Sequence, residues 1–350
     1  MYLDPELSST PIKYPSLVTH AHSDHTAAVS GGSETYLTET TIKLYDVTSP
    51  RRARNYHKVN LYEPFELGPF QIEYLNAGHL LGAAQILVRK GSHTFLYTGD
   101  FCPEDLLTIK GADLPQEELD VTVIDATYGD QLIFFDSRSN SRQNLFIWTI
   151  QSLGEDKIPI INVGHLGGAQ EVIAFYNKLA PNLPILVSDR VKQVCEVYEE
   201  MGVDLTYTAL NHPDADSLIE DKCIIVVPRN FKKVDGLVRK HPVLKGRLIR
   251  AIVTGQTAKY GFRSFNYASA LSTHAHYNEL IETTKQLNPI HVLTHYGYHK
   301  KLAKSLVEDH NISAESFPNS KPLSFQKLNS HDLKAGITKS QSNTTLDQFF

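Results

Sequence analysis

Cysteine is scarce in this chain: Cys102, Cys195 and Cys223 are odd in number and far apart, which argues against both a disulfide framework and a thiolate zinc site. Any bound metal must then be held by histidine and carboxylate. Long apolar runs are missing too. Nothing approaches the roughly 20 residues needed to span a bilayer, and the N-terminus opens on Tyr2-Leu3-Asp4 without a basic-then-apolar leader. A soluble, cytoplasmic protein with no membrane partner is expected, nucleoid-associated if the source is archaeal. Positive charge is not in excess, since the net charge of -5 excludes a globally basic nucleic-acid binder. No internal repeat is evident.

What is present is enough apolar material for a large core: 350 residues, 41% of them hydrophobic, suit one large domain or two interleaved ones. Charge is unevenly spread. Residues 229–250 carry eight basic side chains against Asp235 alone, a local +7 that leaves -12 elsewhere. A solvated face is the commoner origin of such a run, but Arg229, Lys232, Lys233, Arg239 and Lys240 could also track a phosphate backbone.

Short β-branched or apolar runs recur, among them "SLVT", "QIEYL", "AQILVRK", "HTFLYTG", "DVTVIDA", "IPIINVG", "PILVSD", "CIIVVP", "LIRAIVT" and "IHVLTH". Helix-like stretches over 168–179 and 190–201 separate the later ones, whereas short turns separate the early ones. The pattern predicts an α/β fold with a mixed sheet first and strand-helix alternation later. Several runs end on Thr19-His20, Gly99-Asp100, Asp125 or His295, and polar residues at strand ends converge on one sheet edge.

The densest chemistry lies in "LVTHAHSDHT", residues 17–26, with His20, His22, Asp24 and His25 inside six positions. In a loop leaving a strand, His20 and His22 can point one way while Asp24 and His25 face a second point nearby, so one loop can serve two ions. Imidazole and carboxylate suit zinc in hydrolytic sites, and paired ions about 3.5–4 Å apart can clamp an in-line phosphoryl displacement.

"HAHSDH" resembles the HxHxDH signature of the metallo-β-lactamase fold, and the fold's other motifs follow in order: Asp4 in "YLDP", His79 in "AGHLLGAAQ" and Asp100 in "YTGDF". The resemblance implies two zinc ions, with manganese or iron as possible substitutes. One would be held by His20, His22, His79 and Asp100, the other by Asp24, His25, Asp100 and His295. Asp4 would orient the ligand loop by hydrogen bonds.

Asp100 and His295 are separated by 194 residues, which implies an inserted domain. This arrangement resembles the β-CASP nucleases, in which a cap covers the metal site and leaves a nucleic-acid cleft. "VIDATYG" is similar to their motif A, with Asp125; "LSTHAH" to motif B, with His274; "VLTHYGY" to motif C, with His295. The likeness makes His274 the proton donor to the leaving oxygen, supported by Asp125, and counts Asp24 with them as catalytic. It is greatest to the ligase-associated DNA exonucleases and the mRNA 3′-end processing factor-like group. One departure stands out: His276 occupies the place of motif B's aspartate. The "GHLGG" loop at 164–168 is similar to a family loop whose amides could bind phosphate, and Ser272 and Tyr128 are placed facing the substrate.

The implied architecture is a metallo-β-lactamase αββα sandwich with an inserted α/β β-CASP cap: residues 1–134 and 256–335 form the sandwich, 135–255 the insert and 336–350 a small, polar, flexible tail. In that tail Leu346, Phe349 and Phe350 fall at i, i+3 and i+4, one face of a helical turn. "NTTLDQFF" resembles the PCNA-interacting peptide of archaeal type. The expected activity is that of a two-metal nuclease, an exonuclease on DNA recruited by the sliding clamp, with an RNA-processing β-CASP ribonuclease as the alternative and a small-molecule hydrolase of the same fold behind both.

Overall fold

The computed structural model describes residues 1–5, 14–232, 234–317 and 323–324. Three sheets organise them. The first sets Tyr2–Leu3, Ser16–Leu17, Thr35–Thr38 and Tyr56–Val59 side by side in parallel, with Leu323–Ser324 antiparallel to Tyr2–Leu3. The second starts with an antiparallel meander through Phe65–Leu67, Phe70–Asn76, Ala84–Lys90 and His93–Tyr97, then adds Val121–Asp125, His291–His295 and Ala314–Ser316 in parallel. The third, over Ile158–Ser269, is wholly parallel.

Alternation along the strands shows which faces meet. Leu3, Leu17 and Val59 of the first sheet pack with Ile72, Tyr74, Ile86, Val88, Val121, Val123 and Leu293 of the second. The outer face of the first sheet presents Val18 and Leu37 to Val29, Ile42 and Tyr45 of the helices Ala27–Gly31 and Glu39–Thr48. Leu75, Leu87 and Leu96 on the outer face of the second meet Leu287 of the helix Tyr277–Leu287. The result is the αββα sandwich expected from the motifs.

The parallel third sheet is buried on both faces, as all-parallel sheets require. Ile161, Val163, Val187, Ile224 and Val226 face the helices Gly168–Leu179 and Asp189–Glu200, while Ile158, Ile160, Leu186, Ile225 and Val227 face Ile219 and Leu237 on the other side. This inserted module runs further than expected. Leu248–Val253 pairs with Ile158–Val163, and Tyr267–Ser269 pairs with Leu248–Val253, so its sheet ends at Ser269 and not near 255. Thr35–Thr38, Tyr56–Val59 and the helix Glu39–Thr48 were not visible in the sequence. The strands are four residues each, too short for period-2 alternation to stand out. The helix contains three threonines, poor helix formers, and packs against Asp189–Glu200.

Two glycines next to candidate ligands are forced by close packing. Gly78, before His79, has φ +68°, and a Cβ there would lie 2.2 Å from the Cys102 carbonyl oxygen and 2.6 Å from the Ala112 nitrogen. Gly99, before Asp100, has φ +53° and would put a Cβ 2.8 Å from Thr19 Cγ2. At Gly78 the obstacle is backbone, which cannot rotate away. Gly78→Ala is expected to cost about 2–4 kcal/mol from overpacking and the left-handed conformation together, read as a lower thermal unfolding midpoint.

Candidate metal centre

The sandwich brings to one edge what the sequence scatters. Asp125 and His295 are paired across neighbouring parallel strands, Asp100 follows the strand His93–Tyr97, and the His20–His25 loop follows Ser16–Leu17. The C-terminal edge of the inserted sheet faces them: the Leu166 carbonyl oxygen, just beyond Ile158–Val163, is 3.4 Å from His22 Nε2.

His20 Nε2 lies 3.0 Å from His22 Nδ1, which lies 3.2 Å from His79 Nε2. Asp100 Oδ2 is 3.4 Å from His20 Nε2 and 3.7 Å from His79 Nε2. Each imidazole has its other nitrogen against an acceptor: His20 Nδ1 beside Thr19 Oγ1 at 2.9 Å, His79 Nδ1 beside the Thr273 carbonyl at 3.0 Å, and His22 Nε2 beside Leu166. The Thr19 hydroxyl itself donates to Asp4 Oδ2 at 2.6 Å, leaving a lone pair for His20. Burial, reinforced by neighbouring imidazoles, holds His20 and His79 well below the usual histidine range, and burial brings His22 down to about 4. All three rings are thus neutral near neutral pH, and three nitrogen lone pairs converge with a carboxylate oxygen. Such a set repels itself unless a cation lies between. Its separations are also close to the edge of about 3.3–3.4 Å of a tetrahedron with zinc–ligand bonds of about 2.0–2.1 Å. The residues fit a metal.

A second position is more open. His25 Nε2 lies 3.6 Å from Asp100 Oδ2 and 3.9 Å from Asp24 Oδ2, and the Asp24 side chain is 74% exposed. Burial works against protonating His25, yet the carboxylates of Asp100, Asp4 and Asp24 outweigh it and raise the ring to about 10. Burial also pushes Asp100 up to about 6, with His25 and His274 opposing. His295 joins no group of three ligand side chains with atoms within 4.8 Å of one another among the described residues. Its Nδ1 is 3.3 Å from the Phe317 carbonyl, and burial lowers its pKa to about 4.

Asp4 lies behind these ligands. Its carboxylate accepts from Thr19 N at 2.8 Å, Thr19 Oγ1 at 2.6 Å and Tyr97 Oη at 3.1 Å, and meets His25 Nδ1 at 2.8 Å. The Asp4 backbone sits at φ +37°, a region aspartate tolerates better than most residues; there the chain leaves the strand and the carboxylate turns back. Neither Thr19, noted only as a strand end, nor Tyr97 was singled out as a site residue in the sequence, because hydroxyls near a ligand are too common to stand out.

On the far side of Asp100 sits His274, its Nε2 3.9 Å from Asp100 Oδ2 and its Nδ1 3.0 Å from Asp125 Oδ2. Asp125 is oriented in turn by Thr127, whose amide and hydroxyl donate to Oδ1 at 2.8 and 2.6 Å. Burial disfavours the His274 cation, but Asp100 and Asp125 overcome this and raise its pKa. Ser272 Oγ accepts the His274 amide at 3.0 Å, and the Tyr128 ring stands edge-on to His274 at 5.8 Å.

The basic segment is divided by the fold. Arg229 and Lys232 follow Ile224–Pro228 at the edge of the inserted sheet that faces the candidate ligands. Arg239 and Lys240 instead end the helix Val234–Lys240, which leads through Pro242–Leu244 to Arg247, whose carbonyl accepts from Ile158 N at the opposite edge. These two are turned away from the centre because a helix between parallel strands runs back along the sheet. Lys233 lies outside the described residues. A second set of cations went unseen in the sequence: Lys259 donates to Tyr298 Oη at 2.7 Å and sits over the Tyr298 and Tyr260 rings, and Lys301, paired with Asp130 Oδ2 at 2.5 Å, also approaches Tyr298. Tyr298 N donates to the Ala126 carbonyl, next to Asp125. At the "GHLGG" loop and the helix start that follows it, Gly167 N donates to Gln170 Oε1 and Ala169 N to the Gly164 carbonyl.

Comparisons with known proteins agree with this architecture. A probable DNA ligase of Opitutus terrae is 26% identical over 304 residues, 84% of this chain and 28% of that protein. An RNase J-like protein of Methanocaldococcus jannaschii is 25% identical over 275 residues, 65% of this chain and 62% of its own length. Subunit 3 of the Dictyostelium discoideum cleavage and polyadenylation specificity factor is 26% identical over 226 residues, 55% of this chain and 28% of its own. The fold is a metallo-β-lactamase sandwich with a β-CASP insert. A crystal structure of a protein of unknown function from Enterococcus faecalis V583 superimposes with a TM-score of 0.61 at 13% identity, covering 88% of this chain and 80% of its own. No family model matches the sequence. This chain spans less than two thirds of each of the three relatives. Among the described residues no helix is long and apolar enough to cross a membrane.

Proposed function

We propose that this protein is a metal-dependent phosphodiesterase that cuts nucleic acid, DNA in preference to RNA, at the centre formed around Asp100. The carrying observation is that one carboxylate oxygen, Asp100 Oδ2, lies within 3.9 Å of ring nitrogens of His20, His25, His79 and His274. His20, His22, His79 and Asp100 would hold one ion, and Asp24, His25, Asp100 and His295 the other. Zinc suits these ligands best, with manganese or iron as substitutes. Bound there, such ions supply Lewis-acid stabilisation of a phosphoryl oxygen and an activated water.

The chain's own part is to orient and to move a proton. Asp125 accepts His274 Nδ1–H, fixes the tautomer and favours the cation, so Nε2 carries a proton toward Asp100 and the cleft. That proton is available to the leaving oxygen. Asp4 and Thr19 keep His20 and His25 turned inward. Arg229, Lys232, Lys259 and Lys301, with Tyr298 and Tyr260, line the mouth with cations and ring faces, the combination that tracks an unpaired strand.

DNA is favoured by the DNA-ligase relative, which covers the largest share of this chain among the three compared, and by the clamp-like tail. Leu346, Phe349 and Phe350 would dock on a PCNA-type clamp; they lie outside the described residues. RNA is the second reading, favoured by the names of the other two relatives. End-labelled single strands of matched DNA and RNA, incubated with zinc or manganese, test both. Degradation of DNA that Asp100→Ala abolishes supports the proposal. Cleavage of RNA alone moves the protein to RNA processing, and cleavage of neither removes the nuclease reading. A chain shortened before Asn343 is expected to keep its turnover and lose clamp binding in a pull-down.

Lys259→Ala should weaken binding of an oligonucleotide and reduce the slope of log affinity against log salt by about 0.7–0.9, one phosphate contact. Lys240→Ala, at the opposite edge, should leave that slope unchanged.

A further inference from the structure

Position 276, two residues beyond His274, holds histidine where the motif has a carboxylate, and this histidine does not take over the missing role. Its ring stacks on Phe135 at 3.8 Å between centroids and 11° between planes, and its amide donates to Glu279 Oε2 at 2.7 Å at the start of the helix Tyr277–Leu287. Something else must hold the His274 loop.

We infer that Arg138 is the residue that positions His274. The side chain is only 2% exposed. Arg138 Nε donates to the Ser272 carbonyl at 3.0 Å and Nη2 to the His274 carbonyl at 2.8 Å. Nη1 and Nη2 donate to the Glu279 carboxylate at 2.5 and 3.0 Å, and Nη1 also to Glu104 Oε2 at 2.6 Å. One planar fork therefore grips the loop on both sides of Thr273 and is balanced by two carboxylates, which a buried guanidinium requires. The His274 ring at the end of the held segment meets Asp125, while the Thr273 carbonyl that faces His79 Nδ1 is not itself bonded by Arg138. Arg138 is also the first residue of the helix Arg138–Gly154, capped by Ser137, so the start of the inserted module anchors a loop of the sandwich.

Lysine has the charge but not the fork, and can hold only part of this set. Arg138→Met and Arg138→Lys are therefore compared, with bound metal and the thermal midpoint as controls; the lysine variant serves if the methionine variant does not fold. The kinetic arm rests on the nuclease reading. Turnover of an oligonucleotide is expected to fall about 100-fold in Arg138→Met, the low end of general-acid contributions, with KM within about threefold and metal content unchanged. Arg138→Lys should fall between it and the parent. In a His274→Ala background Arg138→Met should cost nothing further, because both act through one ring. With a p-nitrophenyl phosphodiester, whose leaving group needs no proton, the loss should shrink to about threefold. Turnover within twofold of the parent, or losses that multiply with His274→Ala, would overturn the inference.

A second arm does not depend on activity. The His274 Nδ1 proton shared with Asp125 should give a downfield imidazole resonance in the parent, assigned by its absence in His274→Ala, and should be lost in Arg138→Met. If the parent cleaves nothing, only the nuclease reading fails; this resonance still decides Arg138, and its persistence in the variant overturns the positioning role.

Discussion

Asp100→Ala is expected to lose bound metal and cleavage together. Asp100 Oδ2 is the carboxylate oxygen that completes the His20, His22 and His79 set and reaches across to His25. Without it, three neutral imidazoles remain on one side, and His25 and His295 with an exposed Asp24 on the other. Loss of an outer partner alone typically costs 10- to 100-fold in affinity, so removing the shared ligand should exceed about 100-fold. Metal content after dialysis, measured beside turnover, checks this. A variant that keeps its metal and cuts normally would disprove the assignment. Folding should survive, since removing Asp100 also relieves the cost of a buried carboxylate whose pKa burial has raised to about 6.

His274→Ala should separate chemistry from metal binding. His274 groups with Asp125 and stands 3.9 Å from Asp100 Oδ2, yet it is not among the three side chains, His20, His79 and Asp100, that converge with His22. Turnover should therefore fall about 100- to 10,000-fold while metal content stays at the parental level. The acidic partner should matter through the same proton: Asp125→Asn ought to cost less than His274→Ala, because the asparagine oxygen can still orient the ring but no longer favours its cation. Equal loss of metal in His274→Ala would make it a ligand, not a proton donor. Single-turnover cleavage with metal analysis of the same samples distinguishes the two.

The His20–His25 cluster stood out because four ligand-type residues in six positions are rare, and the strands were legible because fully buried runs such as "IPIINV" and "CIIVVP" are long and β-branched. The end of the insert was not. Tyr267–Ser269 is three residues long and is recognisable only by its pairing with Leu248–Val253. The basic run misled for a related reason: proximity in sequence placed Arg229 and Lys240 in one patch, whereas the return of the helix Val234–Lys240 along the sheet put Lys240 at the other edge.

Alone, the sequence determined the chemistry available: histidine and aspartate side chains of the kind that suit a metal, an Asp–His pair of the kind that suits proton transfer, and enough buried β-branched residues for stacked sheets. These follow from residue type and short spacing, which local conformation preserves. Tertiary structure alone decided which groups share an atom and what holds them. Asp100 serves several imidazoles at once, Thr19 and Tyr97 complete the shell around Asp4, and Arg138 reaches carbonyls 134 and 136 residues away. Contacts at that separation depend on how sheets and insert pack, and no local pattern of side chains records them.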